Sequence, residues 1–370
     1  MNKGKRTYRI MISGGGTGGH IYPAIAIANA WREKYPDAEI LFVGAEGKME
    51  MQKVPEAGYI IEGLPVAGLQ RSLSLSNLSF PFKLFKSLRK SKKLVKEFNP
   101  EAVVGVGGYA SGPLLRVAQA KGIPTLLQEQ NSYAGLTNKL LAKKAKVICV
   151  AYPGMEKFFP LERIKYTGNP VRKDILQLEG KQEVGLKYFG LETGKKVLLV
   201  LGGSLGARTI NHGILADMEA LEKGGYQILW QCGKFYFREM SAKVKESGLK
   251  HIHVLEFIKE MDLAYAVADV VVSRAGALSV SELSLVGKPV VFIPSPNVAE
   301  DHQTKNALAY VNENAALLLK DDEAVGKIKE TLDGLFAEEG KAEKLSKNIL
   351  KLAKPDAAEK IVEALEEIIA

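Results

Sequence analysis

The residues of this chain best suited to chemistry are a histidine and a glutamate. Each stands where an apolar run passes through a turn of small residues into a helical stretch. His20 ends Ser13-Gly14-Gly15-Gly16-Thr17-Gly18-Gly19-His20. Glu282 ends Ser273-Arg274-Ala275-Gly276-Ala277-Leu278-Ser279-Val280-Ser281-Glu282. A strand that feeds such a turn and then a helix aims main-chain N–H groups at whatever anion lies over the helix start. The same design recurs in VLLVLGGSLGAR, Val197 to Arg208, where Gly202-Gly203-Ser204 is suited to a phosphate. Two such openings far apart in one chain imply two doubly wound domains facing a cleft, the layout of an enzyme that carries a nucleotide-linked donor to a separate acceptor.

The residue types narrow the chemistry further. The positive end of a helix disfavours an imidazolium, so His20 suits a neutral base. Glu282 can accept hydrogen bonds from both hydroxyls of a ribose, although a glutamate near a helix start also simply complements the helix dipole. Gly107-Gly108-Tyr109-Ala110-Ser111-Gly112-Pro113 is a further glycine turn after a strand, and Gln128-Glu129-Gln130-Asn131 ends the next one. In open parallel sheets ligands sit beyond the carboxyl ends of strands, which places these clusters beside His20. Asp301-His302-Gln303-x-x-Asn306 offers amides for sugar hydroxyls. His251-x-His253 has no evident third partner, so no metal site is expected.

These residues need a scaffold, and the apolar pattern supplies one. YRIMIS, EILFVG, AVVGVG, TLLQEQ and VICVA in the first half, and KVLLVLG, QILWQCG, IHVLEF, DVVVSRAG and PVVFIPS in the second, are nearly continuous apolar runs separated by helical stretches. That pattern predicts α/β architecture, two Rossmann-like parallel sheets covered on both faces. Helices are predicted at Ile21–Lys34, Gly112–Ala120, Leu136–Lys143, Thr209–Lys223, Lys234–Ser247, Met261–Val267 and Ser279–Val286. Thr167-Gly168-Asn169-Pro170 marks the boundary between domains 1–168 and 169–355. The charged stretch Val171 to Gly194 lacks a strand, and Lys354-Pro355 precedes a last helix, Asp356–Ile369.

Composition bounds the class. A chain of 370 residues exceeds one compact core and suits two α/β domains. Two cysteines, Cys149 and Cys232, form no framework, which points to a reducing cytoplasm. No leader-like stretch precedes the first strand and no run is long enough to span a bilayer, so neither secretion nor a membrane span is expected.

The net charge is +9. Between Gln70 and Pro100 stand Arg71, Lys83, Lys86, Arg89, Lys90, Lys92, Lys93 and Lys96 against Glu97 alone, eight minus one, so this segment holds +7 of that. FPFKLFKSLRKSKKLVKEF sets Leu84, Leu88, Val95 and Phe98 at helical spacing and crowds Phe80, Phe82 and Phe85 at one end. A basic amphipathic helix with an aromatic end reads as a membrane-surface element, its apolar stripe packing on the domain. No recognition helix or RNP sequence accompanies it, so nucleic acid is not expected.

Together GGTGGH, GGYASGP, EQNSYAGLTNK, GNPVR, GGSLGAR, SRAGALSVSE and the QxxN of DHQTKN resemble the MurG family, the bacterial UDP-N-acetylglucosamine transferases of peptidoglycan synthesis in glycosyltransferase family 28. They stand in the family's order from Gly15 to Asn306. The resemblance implies a GT-B fold whose C-terminal domain holds the UDP-sugar, whose N-terminal domain holds the lipid acceptor, and whose final helix crosses back to the first domain. It implies inverting transfer of GlcNAc to the C4 hydroxyl of MurNAc-pentapeptide on undecaprenyl diphosphate (lipid I to lipid II), with no cofactor. The donor residues it implies are Thr17, Gly18, Gly19, Asn131, Arg172, Ser204, Ile258 through its backbone, Ala277 to Glu282, Gln303 and Asn306. On the acceptor side it implies Thr17, His20, Tyr109, Glu129 and Asn131, with His20 or Glu129 as base. Phe80, Phe82, Lys83, Phe85, Lys86, Arg89 and Lys90 would meet anionic lipid at the cytoplasmic face of the inner membrane. Proteins of cell-wall synthesis, cell shape and division are implied as further partners.

Three departures from the family pattern stand out: Leu205 for a glutamine, Gln128 for a histidine and Ala275 for a serine. Two rival readings use the same loops. A UDP-GlcNAc 2-epimerase would bind the same donor without an acceptor or lipid patch. A nicotinamide-dependent oxidoreductase would use Gly14-x-Gly16-x-x-Gly19, with Glu46 as its ribose acid.

Overall fold

The computed structural model describes residues 7–66 and 80–369. The chain divides into two compact units, the described residues up to Val171 together with 354–369, and Arg172–Ala353. The division falls three residues beyond the expected boundary after residue 168. Arg71 lies outside the described residues.

The first unit runs β1 (Arg9–Ser13), α1 (Gly18–Lys34), β2 (Glu39–Ala45), α2 (Glu50–Glu56), β3 (Ile60–Leu64), α3 (Phe80–Phe98), β4 (Ala102–Gly105), α4 (Ser111–Ala120), β5 (Thr125–Glu129), α5 (Leu136–Ala142), β6 (Val147–Val150) and β7 (Ile164–Tyr166). Its seven strands lie parallel in the order β3-β2-β1-β4-β5-β6-β7. The order reverses between β1 and β4.

The second unit runs α6 (Gln182–Phe189), β8 (Lys196–Leu201), α7 (Arg208–Lys223), β9 (Tyr226–Gln231), α8 (Phe237–Ser247), β10 (Ile252–Leu255), α9 (Met261–Val267), β11 (Val270–Ser273), α10 (Ala277–Val286), β12 (Val290–Phe292), α11 (His302–Val311), β13 (Leu317–Leu318), α12 (Ile328–Ala337) and α13 (Lys341–Lys351), before α14 (Ala357–Ile369) rejoins the first unit. Its six strands are also parallel, in the order β10-β9-β8-β11-β12-β13, and reverse between β8 and β11.

The apolar runs are continuous because both faces of each sheet are covered. In β1, Ile10 and Ile12 pack with α1 and α14, while Met11 between them packs with α4 and the strands beside it. Alternate residues of a strand point to opposite faces, so an unbroken apolar run is required where neither face meets water. In the second unit Leu198, Val200, Ile228 and Trp230 meet Ile210 and Ile214 of α7, Met240 of α8 and Leu332 of α12.

The last helix is an integral part of the first core. Ile361 and Leu365 are fully buried among Ile27, Trp31 and Ile10. At its edge Glu366 accepts from the Tyr35 hydroxyl at 2.5 Å and pairs with Lys34 at 2.6 Å. The hydrogen bond to Glu366 pushes the Tyr35 hydroxyl well above the usual tyrosine range. Burial alone would raise the Glu366 carboxyl, but hydrogen bonds from Lys34 and Tyr35 hold it below its ordinary value.

Each unit contains one of the two tryptophans, Trp31 and Trp230, so each can be followed separately. In a Trp230→Phe background, Leu365→Ala should cost about 2–5 kcal/mol, read as a lower urea midpoint of Trp31 fluorescence; an unchanged midpoint would show that α14 contributes nothing. A lowered folded-state carboxyl pKa gives stability that is present above the unfolded pKa and is lost as pH falls through the folded one. Glu366→Gln should therefore lower that midpoint at neutral pH and flatten its acid limb.

Candidate active site

Both sheet reversals carry the glycine loops. At the first, Ser13 closes β1 with its Oγ donating to the Val43 carbonyl at 2.7 Å, and the chain turns through Gly14 to Gly16 into α1. Glu50 of α2 is fully buried beneath this turn. Its Oε2 accepts from the Gly16 N–H at 3.0 Å and its Oε1 from the Ala45 N–H at 2.9 Å. A β-carbon at Gly15 would overlap that carboxylate. Gly16 lies at φ +89°, in the left-handed region, with the Tyr109 ring packed over it. Burial, with Glu50 as a lesser cause, pushes the Tyr109 hydroxyl up. Nothing in the spacing of Glu50 signals this role.

His20 is the third residue of α1, whose first turn holds no acidic side chain. Its ring lies against the second turn, at Gly107 and Gly108, both at positive φ. The Nδ1 atom is 2.9 Å from Gln130 Oε1. Thr17, Gly18, Gly19, His20 and Tyr109 are thus brought together at one crevice.

Glu129 is placed beside them but for another task. It is 2 % exposed. Its Oε1 accepts from the Asn131 N–H at 3.2 Å and the Asn131 Nδ2 at 3.4 Å, and its Oε2 from the Gly135 N–H and Asn138 Nδ2, both at 2.9 Å. Four donors match the roughly four lone-pair directions of a carboxylate. Glu129 thus staples the Asn131–Gly135 loop.

At the second reversal, β8 ends in Gly202 to Gly206 and β11 in Arg274 to Gly276. Gly276 is an extended N-cap to α10, and neither α7 nor α10 has an acidic residue in its first turn. A cavity of about 520 Å³ lies here, lined by Gly202, Gly206, Arg208, Arg274, Ser295 and Gln303 among others. Arg274 bonds Asp321 and the Ile293 carbonyl, so it braces the wall. Ser204 and Leu205 are exposed beside it, so Leu205 leaves no buried polar partner unmet.

Glu282 is the sixth residue of α10, beyond the first turn, so the dipole does not account for it. The Tyr265 hydroxyl donates to its Oε2 at 3.0 Å, and Arg172 Nε lies 3.5 Å from its Oε1. Fully buried Tyr265 was not signalled by any motif. Of the rest of this segment, Val280 is buried in the core and acts through its main chain alone, and the Ser281 hydroxyl bonds back to the Ala277 carbonyl at 3.0 Å. Ala277, Leu278 and Ser279 form the helix start itself.

Three further residues are held by internal hydrogen bonds. Asn306 is fully buried beneath the turn, its Nδ2 donating to the Ala275 carbonyl at 3.3 Å, so it supports the loop. Gln303 lines the cavity while its Oε1 accepts from the Ser295 N–H at 2.9 Å. The buried Ile258 donates its N–H to Gln231 Oε1 at 2.9 Å, which leaves a base to be read by its carbonyl or by exchange with Gln231.

On α3, Phe82 and Phe85 are exposed (75 % and 66 %), as are Lys83, Lys86 and Arg89, whereas Phe80 is partly covered. Lys90 instead turns to Glu46 and Glu62, at 3.7 and 3.4 Å. Glu46 is thereby engaged on the flank of α3. The buried seam of α3 holds Ser87 and Ser91 besides Val95, small residues that let α3 approach α4 closely. Among the described residues no helix is long and apolar enough to cross a membrane. His251 is engaged by Lys195 and Glu192 at the start of β10.

Comparison with known proteins agrees with this arrangement. The glycosyltransferase family 28 N-terminal domain matches residues 10–150, and the family's C-terminal domain matches residues 197–361. A protein of Cytophaga hutchinsonii named UDP-N-acetylglucosamine–N-acetylmuramyl-(pentapeptide) pyrophosphoryl-undecaprenol N-acetylglucosamine transferase is 57% identical over 99% of this chain and 98% of its own. The crystal structure of Acinetobacter baumannii MurG superposes with a TM-score of 0.77 at 28% identity, covering 97% of this chain and 99% of that one. A UDP-N-acetylglucosamine 2-epimerase structure also superposes, with a TM-score of 0.67 over 97% of this chain and 96% of its own, but at 14% identity it shares the fold alone. The two domain matches together cover most of the sequence, and the chain belongs to glycosyltransferase family 28 and, within it, to the MurG family.

Proposed function

We propose that this protein transfers N-acetylglucosamine from UDP-N-acetylglucosamine to the C4 hydroxyl of N-acetylmuramoyl-pentapeptide on undecaprenyl diphosphate, with inversion at the anomeric carbon, as a step of peptidoglycan synthesis. The observation that carries the reading is the full-length identity of 57% to a transferase so named, in a chain that sets the signature loops at both sheet reversals. That identity favours transfer over epimerisation.

In this reading the second unit holds the donor. The N-terminus of α10 and Ser204 take the diphosphate, Glu282 takes the ribose, Ile258 reads the base, and Gln303 meets the sugar. Arg172 steadies Glu282. The first unit takes the acceptor at Thr17, Tyr109 and Asn131, with His20 as base, and Gly18 and Gly19 belong to the donor side. The C4 oxygen forms its bond to the anomeric carbon as its proton passes to His20, and UDP departs with the electron pair of the broken bond. A base at the hydroxyl and fixed dipoles at the leaving group are what such a single displacement requires. His20 is preferred to Glu129 because the lone pairs of that carboxylate are already engaged by its own loop.

The exposed Phe82 and Phe85 with Lys83, Lys86 and Arg89 hold the enzyme peripherally on anionic lipid at the cytoplasmic face of the inner membrane, where the acceptor lies. Proteins of wall synthesis, cell shape and division are its expected neighbours there.

Incubation with labelled UDP-N-acetylglucosamine and a short-chain lipid I analogue should move label to the lipid product only when acceptor is present. Label in UDP-N-acetylmannosamine would reverse the choice between transferase and epimerase. His20→Ala should lower kcat by on the order of 10²–10⁴, the contribution of a positioned base, with donor affinity kept. Glu282→Ala should weaken UDP-sugar binding by about ten- to a hundredfold, the loss of hydrogen bonds to a charged group. Normal turnover in the first variant, or normal affinity in the second, would remove the corresponding role. Reversing Lys83, Lys86 and Arg89 to glutamate should lower binding to phosphatidylglycerol vesicles and spare turnover of a soluble acceptor; equal vesicle binding would end the membrane reading.

A further inference from the structure

Three buried amides behind His20 form a hydrogen-bond circuit whose polarity is set by main-chain carbonyls at both ends. Asn169 Nδ2 donates to the Gln130 carbonyl at 3.0 Å, so Asn169 Oδ1 is left to accept, and it receives Gln128 Nε2 at 2.9 Å. Gln128 Oε1 is then an acceptor, and Gln130 Nε2 donates to it. Independently, Gln130 Nε2 donates its other N–H to the Val106 carbonyl at 2.8 Å, with the Gln128 carbonyl 3.2 Å away. A carbonyl oxygen cannot donate. Both ends therefore demand the same orientation of Gln130, nitrogen inward and oxygen toward His20. All three amides are buried, with at most 3 % exposure, so an inverted amide would face oxygen with oxygen and find no water to relieve it.

We infer that Gln130 is a positioning residue that locks His20 in the tautomer with its proton on Nδ1, which puts the lone pair on Nε2. The inference deepens the proposed reaction and rests on the reading of His20 as its base. Gln130 Oε1, 2.9 Å from Nδ1, requires a donor there, and only a protonated Nδ1 supplies one. Free histidine favours the opposite tautomer, which would present an N–H to the acceptor hydroxyl and could not take its proton. The ring is also held in place sterically. Its Cε1 lies 3.0 Å from where a Gly107 β-carbon would stand and its Cδ2 3.3 Å from that of Gly108. The tautomer separates two roles that residue type alone leaves open. A neutral imidazole with its lone pair on Nε2 receives a proton, whereas a ligand for a diphosphate oxygen must offer an N–H at that position. After the transfer the Nδ1–H bond to Gln130 persists, so the imidazolium forms without reorganisation of the circuit.

Nitrogen-15 spectra of the labelled full-length protein test this, with His20→Asn identifying the His20 signals among the five histidines. In the neutral form Nε2 should resonate as an unprotonated nitrogen and Nδ1 as a protonated one. Gln130→Met, of similar length and without an acceptor, should move the population toward the Nε2-protonated form. It should lower kcat about tenfold, part of the on the order of 10²–10⁴ supplied by a positioned base, and leave the donor KM unchanged. Gln128→Met, which keeps the Val106 anchor, should retain the wild-type tautomer and controls for disturbance of the core. An Nε2-protonated His20 in the wild-type protein overturns the inference without need of any variant, as does a Gln130→Met protein with unaltered tautomer and kcat. Full turnover in His20→Asn beside an Nδ1-protonated wild-type spectrum would remove the base assignment and leave the amide lock standing.

Discussion

The structure depends on main chain approaching main chain where each parallel sheet reverses its winding. Between β1 and β4 the turns close until a β-carbon on Gly108 would stand 2.5 Å from the Gly15 carbonyl. In the second unit the loop after β8, at the reversal, is met by the loop after β9, where a β-carbon on Gly233 would overlap the backbone of Gly206. Such contacts admit glycine alone, and both residues also take positive φ. Once the turns meet, the rest follows. The ring of His20 rests on Gly107 and Gly108, the ring of Tyr109 covers Gly16, and the helix starts of α1, α7 and α10 all face the carboxyl ends of their sheets.

The sheets were legible because strands covered on both faces must be apolar along their whole length, and helices between them carry a different period. Met261–Val267 agrees to the residue, and six other predicted helices differ only at their ends. What escaped was short or charged. β3 is five residues containing Glu62, β7 is three residues of partly exposed chain, and α2 carries a proline and buries a glutamate. None of these has an apolar run long enough to announce its period.

The site was legible where function lies in the main chain and obscure where it lies in pairing. Glycine turns, the Gly276 helix start and His20 are local patterns and were found as such. Whether a carboxylate is a base or a staple depends on the donors that reach it, which sequence does not display. Glu129 and Glu50 illustrate this: one was credited with chemistry and the other passed over, yet both bind their oxygens to loop N–H groups. The type and spacing of Asn306 suggest a sugar ligand but do not show that its amide also props the Ala275 carbonyl. Lys90 was counted with the lipid-facing cations because helical spacing alone does not reveal that Glu46 and Glu62 flank it.

The same loop design yields two electrostatically different crevices because the units treat their N–H groups differently. In the first unit fixed carboxylates accept from the loops: Glu50 from Gly16, and Glu129 from Asn131 and Gly135. These carboxylates hold the loop backbone in place, and a carboxylate near an imidazole favours its protonated form, which suits the proton acceptance proposed for His20. In the second unit no carboxylate enters the first turn of α7 or α10, and Arg208 and Arg274 line the cavity together with Asp321, which pairs with Arg274. The helix starts themselves are thus left uncompensated by acidic side chains, which suits the departing anion of the proposed reaction. In the proposed reaction, proton acceptance in one unit and stabilisation of a departing anion in the other are opposite electrostatic demands. Placing them on separate sheets allows each crevice to be built for one of them.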